Sequence, residues 1–240
     1  MEIFIAKDYD ELSAKAFEVI KGVVKSNSYA VLGLATGTTP LGLYRRMIED
    51  YKLHGTSYVH IRTVNLDEYK GLPKEHSQSY AYFMRENLFR HLDIEASNTY
   101  IENGTAQDEQ AECARYNKLL AEMPRDIQLL GLGSNGHIAF NEPYTPFGSE
   151  THVVDLTENT IKDNARLFSG ISEVPKKAFT MGIKQIMQAK QILILASGKN
   201  KADAVYKTVC GKVTEEVPAS VLQLHPNCIL IADKEAASKL

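Results

Sequence analysis

Hydrophobic positions along the chain alternate between two patterns, and the alternation defines a fold class. Short runs that are apolar or β-branched at nearly every position, EIFIA at 2–6, YAVLGLA at 29–35, HIRTVNL at 60–66, Ile127 to Leu130, QILILA at 191–196 and NCILIA at 227–232, have the length of strands. The densest are of the kind buried on both faces of a parallel sheet, and THVVDL at 151–156 is a further strand. Between them the apolar residues change to helical spacing. Leu12, Ala16, Val19, Ile20 and Val23 mark a helix over 8–25 with Asp8 as its N-cap. Tyr80, Phe83, Met84 and Leu88 mark one over 77–91, and Cys113, Tyr116, Leu120 and Met123 one over 107–123. Strand followed by helix along the whole length predicts a single-domain α/β fold over residues 1–240: a parallel-rich open sheet with helices on both faces, Rossmann-like and doubly wound.

Four strand ends carry polar residues suited to chemistry, which matters because ligands of open α/β sheets bind outside the C-terminal ends of the strands. After the strand at 29–35 comes Thr36-Gly37-Thr38-Thr39-Pro40, then a helix with Leu43, Tyr44, Met47 and Ile48. Thr39 suits its N-cap and Pro40 its first turn. A small-residue loop feeding a helix N-terminus is an anion site, and the absence of a G-K-[ST] ending excludes a nucleotide P-loop. The strand at 60–66 ends in Asp67-Glu68 and a turn on Gly71 and Pro73. The strand at 127–130 runs into GLGSNGHIAFNEP, where Asn135, His137 and Glu142 follow within a few residues. The late strand at 191–196 repeats the anion-loop logic, with Ser197-Gly198 leading into a helix that carries Lys199 and Lys201 near its start.

Gly131, Gly133 and Gly136 spell the G-x-G-x-x-G of a dinucleotide site, with Asp155 about 20 residues on. Pro143, Pro146 and Gly148 leave no room for the crossover helix that this fingerprint needs, so no nucleotide cofactor is expected. The seven histidines form no H-E-x-x-H or comparable cluster, and Cys113, Cys210 and Cys228 are scattered, so neither a metal site nor a disulfide framework is expected. With 27 basic and 30 acidic residues the net charge is −3, which carries no nucleic-acid or anionic-membrane footprint. Without a leader or a membrane-length apolar run, a cytoplasmic protein is expected. An anion loop, a histidine and nearby carboxylates suit proton-transfer chemistry on a small phosphorylated substrate.

Taken together, LATGTTPLGLY at 34–44, NLDEYKGL at 65–72 and GLGSNGHIAFNEP at 131–143, with NARLF at 164–168 and SGKNKA at 197–202, resemble the glucosamine-6-phosphate deaminase family. The resemblance implies conversion of D-glucosamine 6-phosphate and water to D-fructose 6-phosphate and ammonia, by aldose-ketose isomerisation coupled to deamination, with no cofactor. It implies that Asp67 takes the C2 proton and returns one at C1, and that His137 opens the sugar ring with support from Glu142 and Asn135. It also implies that Thr36, Gly37, Thr38, Thr39, Arg166 and Lys201 hold the phosphate. Asparagine stands at 135 where a common family pattern has aspartate, so this position orients by hydrogen bonding and relays no proton. The chain ends without the extension of the longer, hexameric and allosterically activated members, so a monomer or small homo-oligomer is expected. The Gly, Pro and Ser content of 145–180, together with family analogy, points to a lid there.

Two other readings fit the same fold. A 6-phosphogluconolactonase-type hydrolase shares a phosphate loop but has no need of a carbon-acid base. A sugar-phosphate-sensing domain fits the binding elements, but the first strand begins at residue 2 and leaves no room for a helix-turn-helix.

Overall fold

The apolar runs become the strands of one sheet. The computed structural model describes residues 1–156 and 173–240. Its strands, in chain order, are β1 (Glu2–Ala6), β2 (Val31–Leu34), β3 (Arg62–Asn65), β4 (Asp67–Tyr69), β5 (Thr99–Tyr100), β6 (Ile127–Gly131), β7 (His152–Asp155), β8 (Lys177–Thr180), β9 (Ile192–Ala196) and β10 (Cys228–Asp233). Seven of them form a sheet in the order β1-β10-β9-β6-β2-β3-β5, parallel throughout. The expected mostly parallel open sheet is therefore present. Its central strands are buried along their length, Ile192 to Ala196 being at most 1% exposed. A fully buried Leu or Ile side chain contributes about 1.5–3 kcal/mol, so these strands hold the core.

The helices follow the predicted apolar stripes with adjusted ends. In α1 (Tyr9–Ser26), Asp8 caps the first turn by accepting from the Glu11 amide at 2.9 Å. In α2 (Leu41–His54) the cap place is taken by Pro40, with helical φ of −79° and no side-chain bond, one residue later than the Thr39 cap expected from sequence. The helix predicted over 77–91 is shorter. As α3 (Tyr80–Asn87) it starts after a Ser79 cap and stops where Leu88 leaves helical geometry at φ −143°, and a 3₁₀ turn (Phe89–His91) continues it. Next come α4 (Glu109–Glu122), the single turn α5 (Ile183–Ile186) and α6 (Ala202–Cys210). Among the described residues, no helix is long and apolar enough to cross a membrane.

A second sheet was not foreseen. Asp67 and Glu68, expected to close the strand at 60–66 ahead of a turn on Gly71 and Pro73, instead form β4 with Tyr69 and pair antiparallel with β8, which pairs antiparallel with β7. The 65–69 segment therefore leaves the main sheet at Asn65 and enters another one two residues later. A short strand of this kind, with polar residues at two of three positions, gives no period-2 signal in sequence. The segment NARLF at 164–168, with Arg166, lies outside the described residues, as does the middle of the predicted lid.

Candidate active site

Strand order places the polar loops at one crevice. Outward from β2 the sheet continues through β3 and β5, and outward from β6 through β9, β10 and β1, so the order reverses between β2 and β6. The C-terminal ends at such a reversal form the ligand crevice of an open α/β sheet. The loops after β2, β3, β6 and β9 all leave from that edge.

The loop after β6 holds the histidine. Gly133 N–H donates to the His137 carbonyl at 2.9 Å, and a Cβ built on Gly133 would lie 2.4 Å from the imidazole ring. That glycine therefore makes room for the histidine and is not a phosphate-approach glycine. Gly136 adopts φ +90°, and a Cβ there would meet Val217 Cγ1 at 2.6 Å. Two of the three glycines that imitate a dinucleotide fingerprint are thus explained by loop geometry. The loop also carries non-glycine residues in left-handed conformations, Ala139 at φ 52° and Tyr144 at φ 73°, a local strain that the surrounding contacts must hold in place.

Within this loop Asn135 donates from Nδ2 to Glu142 Oε2 at 2.7 Å, and its Oδ1 accepts the His137 amide at 3.1 Å. Nδ1 of His137 stands 3.5 Å from Glu142 Oε1, long for a hydrogen bond, so the attraction between them is mainly electrostatic and strengthens when the ring is protonated. The neighbouring imidazole, then the Asn135 amide, hold the Glu142 carboxyl below its usual range against the opposing effect of partial burial. Glu142 is thereby kept ionised beside His137.

The two acids after β3 are physically distinct. Glu68 is 1% exposed and accepts three backbone amides: Tyr69 (2.8 Å) and Tyr80 (2.9 Å) on Oε1, and Ala81 (2.9 Å) on Oε2. It is thus the anchor of the α3 N-terminus. Asp67, 7% exposed, accepts no hydrogen bond from the described residues. Burial, then the Glu68 charge, push the Asp67 carboxyl up to about 8, and burial pushes Glu68 up to about 7 against its three amides. A carboxylate with no donors and a raised pKa is a strengthened base.

The small sheet joins this base to the histidine loop. Thr180 is the antiparallel partner of Asp67, and its Oγ1 accepts the Phe140 amide at 3.1 Å. Next to it, Met181 donates to the Leu66 carbonyl at 2.7 Å, and its own carbonyl accepts from Asn141 Nδ2 at 2.9 Å. Tyr69, Tyr80 and Phe140 pack together beneath these bonds, Tyr80 and Phe140 stacked at 6.2 Å.

The threonine-rich loop precedes α2, beside a cavity of about 350 Å³ lined by Tyr9, Thr38, Thr39, Leu41, Arg45 and Ser197. Thr36 and Gly37 precede it in the same loop, with open space around Gly37. The Tyr9 hydroxyl accepts the Gly42 amide at 2.8 Å and faces the carbonyls of Thr38 (3.1 Å) and Thr39 (3.0 Å). It therefore ties α1 to the loop. Ser197 and Gly198 are fixed by Asp233, whose carboxylate accepts the Ser197 hydroxyl at 2.6 Å and the Gly198 amide at 3.0 Å. Lys201 follows in a 3₁₀ turn, its pKa lowered by burial, which an anionic ligand would offset. Tyr9, Arg45 and Asp233 are missed by sequence reasoning, since no motif distinguishes them from ordinary helix and strand-end residues. Arg166 lies outside the described residues. Among the described residues, no three His, Cys, Asp or Glu side chains are placed to hold a metal ion.

A threonine-rich loop at a helix N-terminus, a buried carboxylate accepting no hydrogen bond from the described residues and a histidine-carboxylate pair at a switch point make up an α/β site suited to acid-base chemistry on a small anionic ligand. The chain belongs to the glucosamine-6-phosphate isomerase/6-phosphogluconolactonase family, whose profile matches residues 7–230. It is 52% identical over 241 residues to the glucosamine-6-phosphate deaminase of Clostridium novyi (strain NT), with 100% of both chains covered. It is 50% identical over 239 residues to that of Thermoanaerobacter pseudethanolicus (strain ATCC 33223 / 39E), covering 99% of this chain and 94% of the relative. The solved structure of a monomeric glucosamine-6-phosphate deaminase superposes with a TM-score of 0.97 at 48% identity over 100% of both chains. The 6-phosphogluconolactonase from Trypanosoma brucei shares the fold, with a TM-score of 0.79 at 22% identity over 100% of this chain and 98% of its own.

Proposed function

We propose that this chain is a glucosamine-6-phosphate deaminase that converts D-glucosamine 6-phosphate and water to D-fructose 6-phosphate and ammonia, a step of amino sugar breakdown. The observation that carries the reading is the contrast within Asp67-Glu68: Glu68 is locked by three amides while Asp67 is buried and accepts no hydrogen bond from the described residues. A carbon-acid reaction needs such a base, and lactone hydrolysis does not.

In the proposed route the loop at Thr36 to Thr39 holds the phosphate together with Lys201 and Arg166, each charge-assisted bond being worth about 1.5–3 kcal/mol. His137 moves the proton that opens the pyranose ring, and Glu142, oriented by Asn135, stabilises the imidazolium. Asp67 then takes the C2 proton of the open-chain aldehyde as O1 gains one, giving an enolamine. Returning the proton to C1 leaves an iminium at C2. Water adds there, ammonia leaves and the ketone of fructose 6-phosphate remains. A carboxyl whose pKa is pushed up to about 8 is both the stronger base for the first transfer and a proton store for the second.

The chain acts as one catalytic domain over residues 1–240, as a monomer or small homo-oligomer in the cytoplasm, a reading supported by its similarity to a deaminase described as monomeric. The test is to offer the purified protein glucosamine 6-phosphate and 6-phosphogluconolactone separately. Ammonia with fructose 6-phosphate from the first is expected, and lactone hydrolysis without ammonia release would overturn the reading.

A further inference from the structure

A cavity of about 510 Å³ lies between α3, the 3₁₀ turn after it, β3 and β5. That size falls in the range of small-molecule sites. Its walls are apolar, formed by Met84, Phe89, Leu92, Ile94 and Tyr100, and all but Met84 are only partly buried, so ordinary core packing leaves this space unfilled. A polar monophosphorylated sugar gains nothing from such walls.

Two polar features give the cavity a direction. Asn65, 2% exposed, lines it, and its Nδ2 meets no hydrogen-bond partner among the described residues, while its carbonyl accepts the Tyr116 hydroxyl at 2.6 Å. Buried amides are normally satisfied, so an orphan beside a cavity marks the place of an acceptor. Arg85 and Arg90 also line the cavity and share one carboxylate, that of Glu86, and Lys74 stands 4.0 Å from Glu75. Three cations against two carboxylates leave the surroundings with a positive excess.

The walls of this cavity continue into the acid pair. Asn65 ends β3, two residues before Asp67, and Ala81, another lining residue, donates its amide to Glu68. Anything that moves α3 against β3 therefore moves the neighbours of Asp67.

We propose that this cavity is an effector site for an aromatic carboxylate that carries a hydrogen-bond acceptor at its other end, with the acceptor on Asn65, the ring among the apolar walls and the carboxylate at the arginines. Only the effect on turnover rests on the deaminase reading, and the binding does not.

The experiment uses the full chain and three probes, 4-hydroxyphenylacetate, phenylacetate and 4-hydroxyphenylethanol, measured by calorimetry and thermal shift. Binding of 4-hydroxyphenylacetate with submillimolar affinity is expected, weakened about tenfold when either the hydroxyl or the carboxylate is missing, as loss of one hydrogen bond or ion pair implies. Ile94→Trp, which fills the cavity, and Arg90→Gln, which removes charge without entering the core, should each weaken it at least as much. No binding at about 10 mM, equal binding of all three probes, or binding indifferent to both substitutions would overturn the site. Saturating 4-hydroxyphenylacetate should also change the KM or kcat for glucosamine 6-phosphate at least about twofold, and unchanged kinetics at proven saturation would overturn the effector role. Absence of turnover even without probe would instead count against the deaminase reading, with the binding result standing on its own.

Discussion

Asn135 donates its side-chain amide to Glu142 at 2.7 Å while Nδ1 of His137 stands 3.5 Å from the other Glu142 oxygen, so the asparagine fixes the carboxylate that faces the imidazole. The amide makes this an orienting contact with no proton to relay. Asn135→Asp places a second carboxylate against Glu142, and one of the two must then hold a proton more readily. We predict that the variant keeps activity within about tenfold near neutral pH, with the acid limb of its kcat profile shifted up by about one unit. Profiles of kcat against pH for both proteins check this, and an unshifted limb would show that Glu142 is not oriented as described.

The raised Asp67 pKa has a sign that both activity and stability report. In the free enzyme the base is competent only when ionised, so kcat/KM should climb as pH rises through about 8, well above the range of a solvated aspartate. A limb near 4 would contradict the burial argument.

Stability runs the other way. The folded-state pKa lies above the unfolded value near 3.9, so the native state retains a proton that the unfolded chain has lost between those values. The contribution of Asp67 to stability is fully present below about pH 4 and declines as pH rises toward about 8. Asp67→Asn should lower kcat by about 10²–10⁴-fold with substrate binding retained, and should melt higher than the parent by a few degrees at pH 8 but not at pH 4.5. Melting curves at the two pH values separate this from a general packing effect.

Gly133→Ala should act on the histidine alone. The added methyl would fall 2.4 Å from the ring, which must move, whereas the loop backbone has other supports through Asn141 and Phe140. A drop in kcat of about 10²-fold, with near-unchanged affinity for a competitive sugar phosphate, is expected. Intact turnover would mean that the imidazole position is not used.

Tyr9→Phe removes the hydroxyl that holds the Gly42 amide and faces the Thr38 and Thr39 carbonyls. The loop loses its tie to α1, so the KM for glucosamine 6-phosphate should rise about 5–10-fold while kcat changes less than about twofold. Initial-rate kinetics, with inorganic phosphate as a competing inhibitor, read the two effects apart.

The fold was largely legible because buried parallel strands are nearly continuous apolar runs, and Ile192–Ala196 or Cys228–Asp233 have no other plausible use. The segments proposed to carry chemistry were legible as motifs at strand ends. The division of labour within them was not. Nothing local separates Asp67 from Glu68, since the distinction comes from three amides supplied by Tyr69, Tyr80 and Ala81, two of them on α3. Residues 67–69 carry no strand signal of their own because β4 exists only through its partner β8, more than a hundred residues away. Tyr9 and Asp233 act through the main-chain and hydroxyl groups of other segments, which leaves no pattern in sequence. The glycines at 133 and 136 are the opposite case, since a local pattern shared with nucleotide loops here serves an imidazole and a valine.

The most direct test of the account is the stoichiometry of the reaction at Asp67. Wild-type protein given millimolar glucosamine 6-phosphate should release ammonia and fructose 6-phosphate in a one-to-one ratio, and Asp67→Asn should release both at least about 10²-fold more slowly while still binding the sugar phosphate. Silence from the wild type at that concentration, or near-normal turnover by Asp67→Asn, would contradict it.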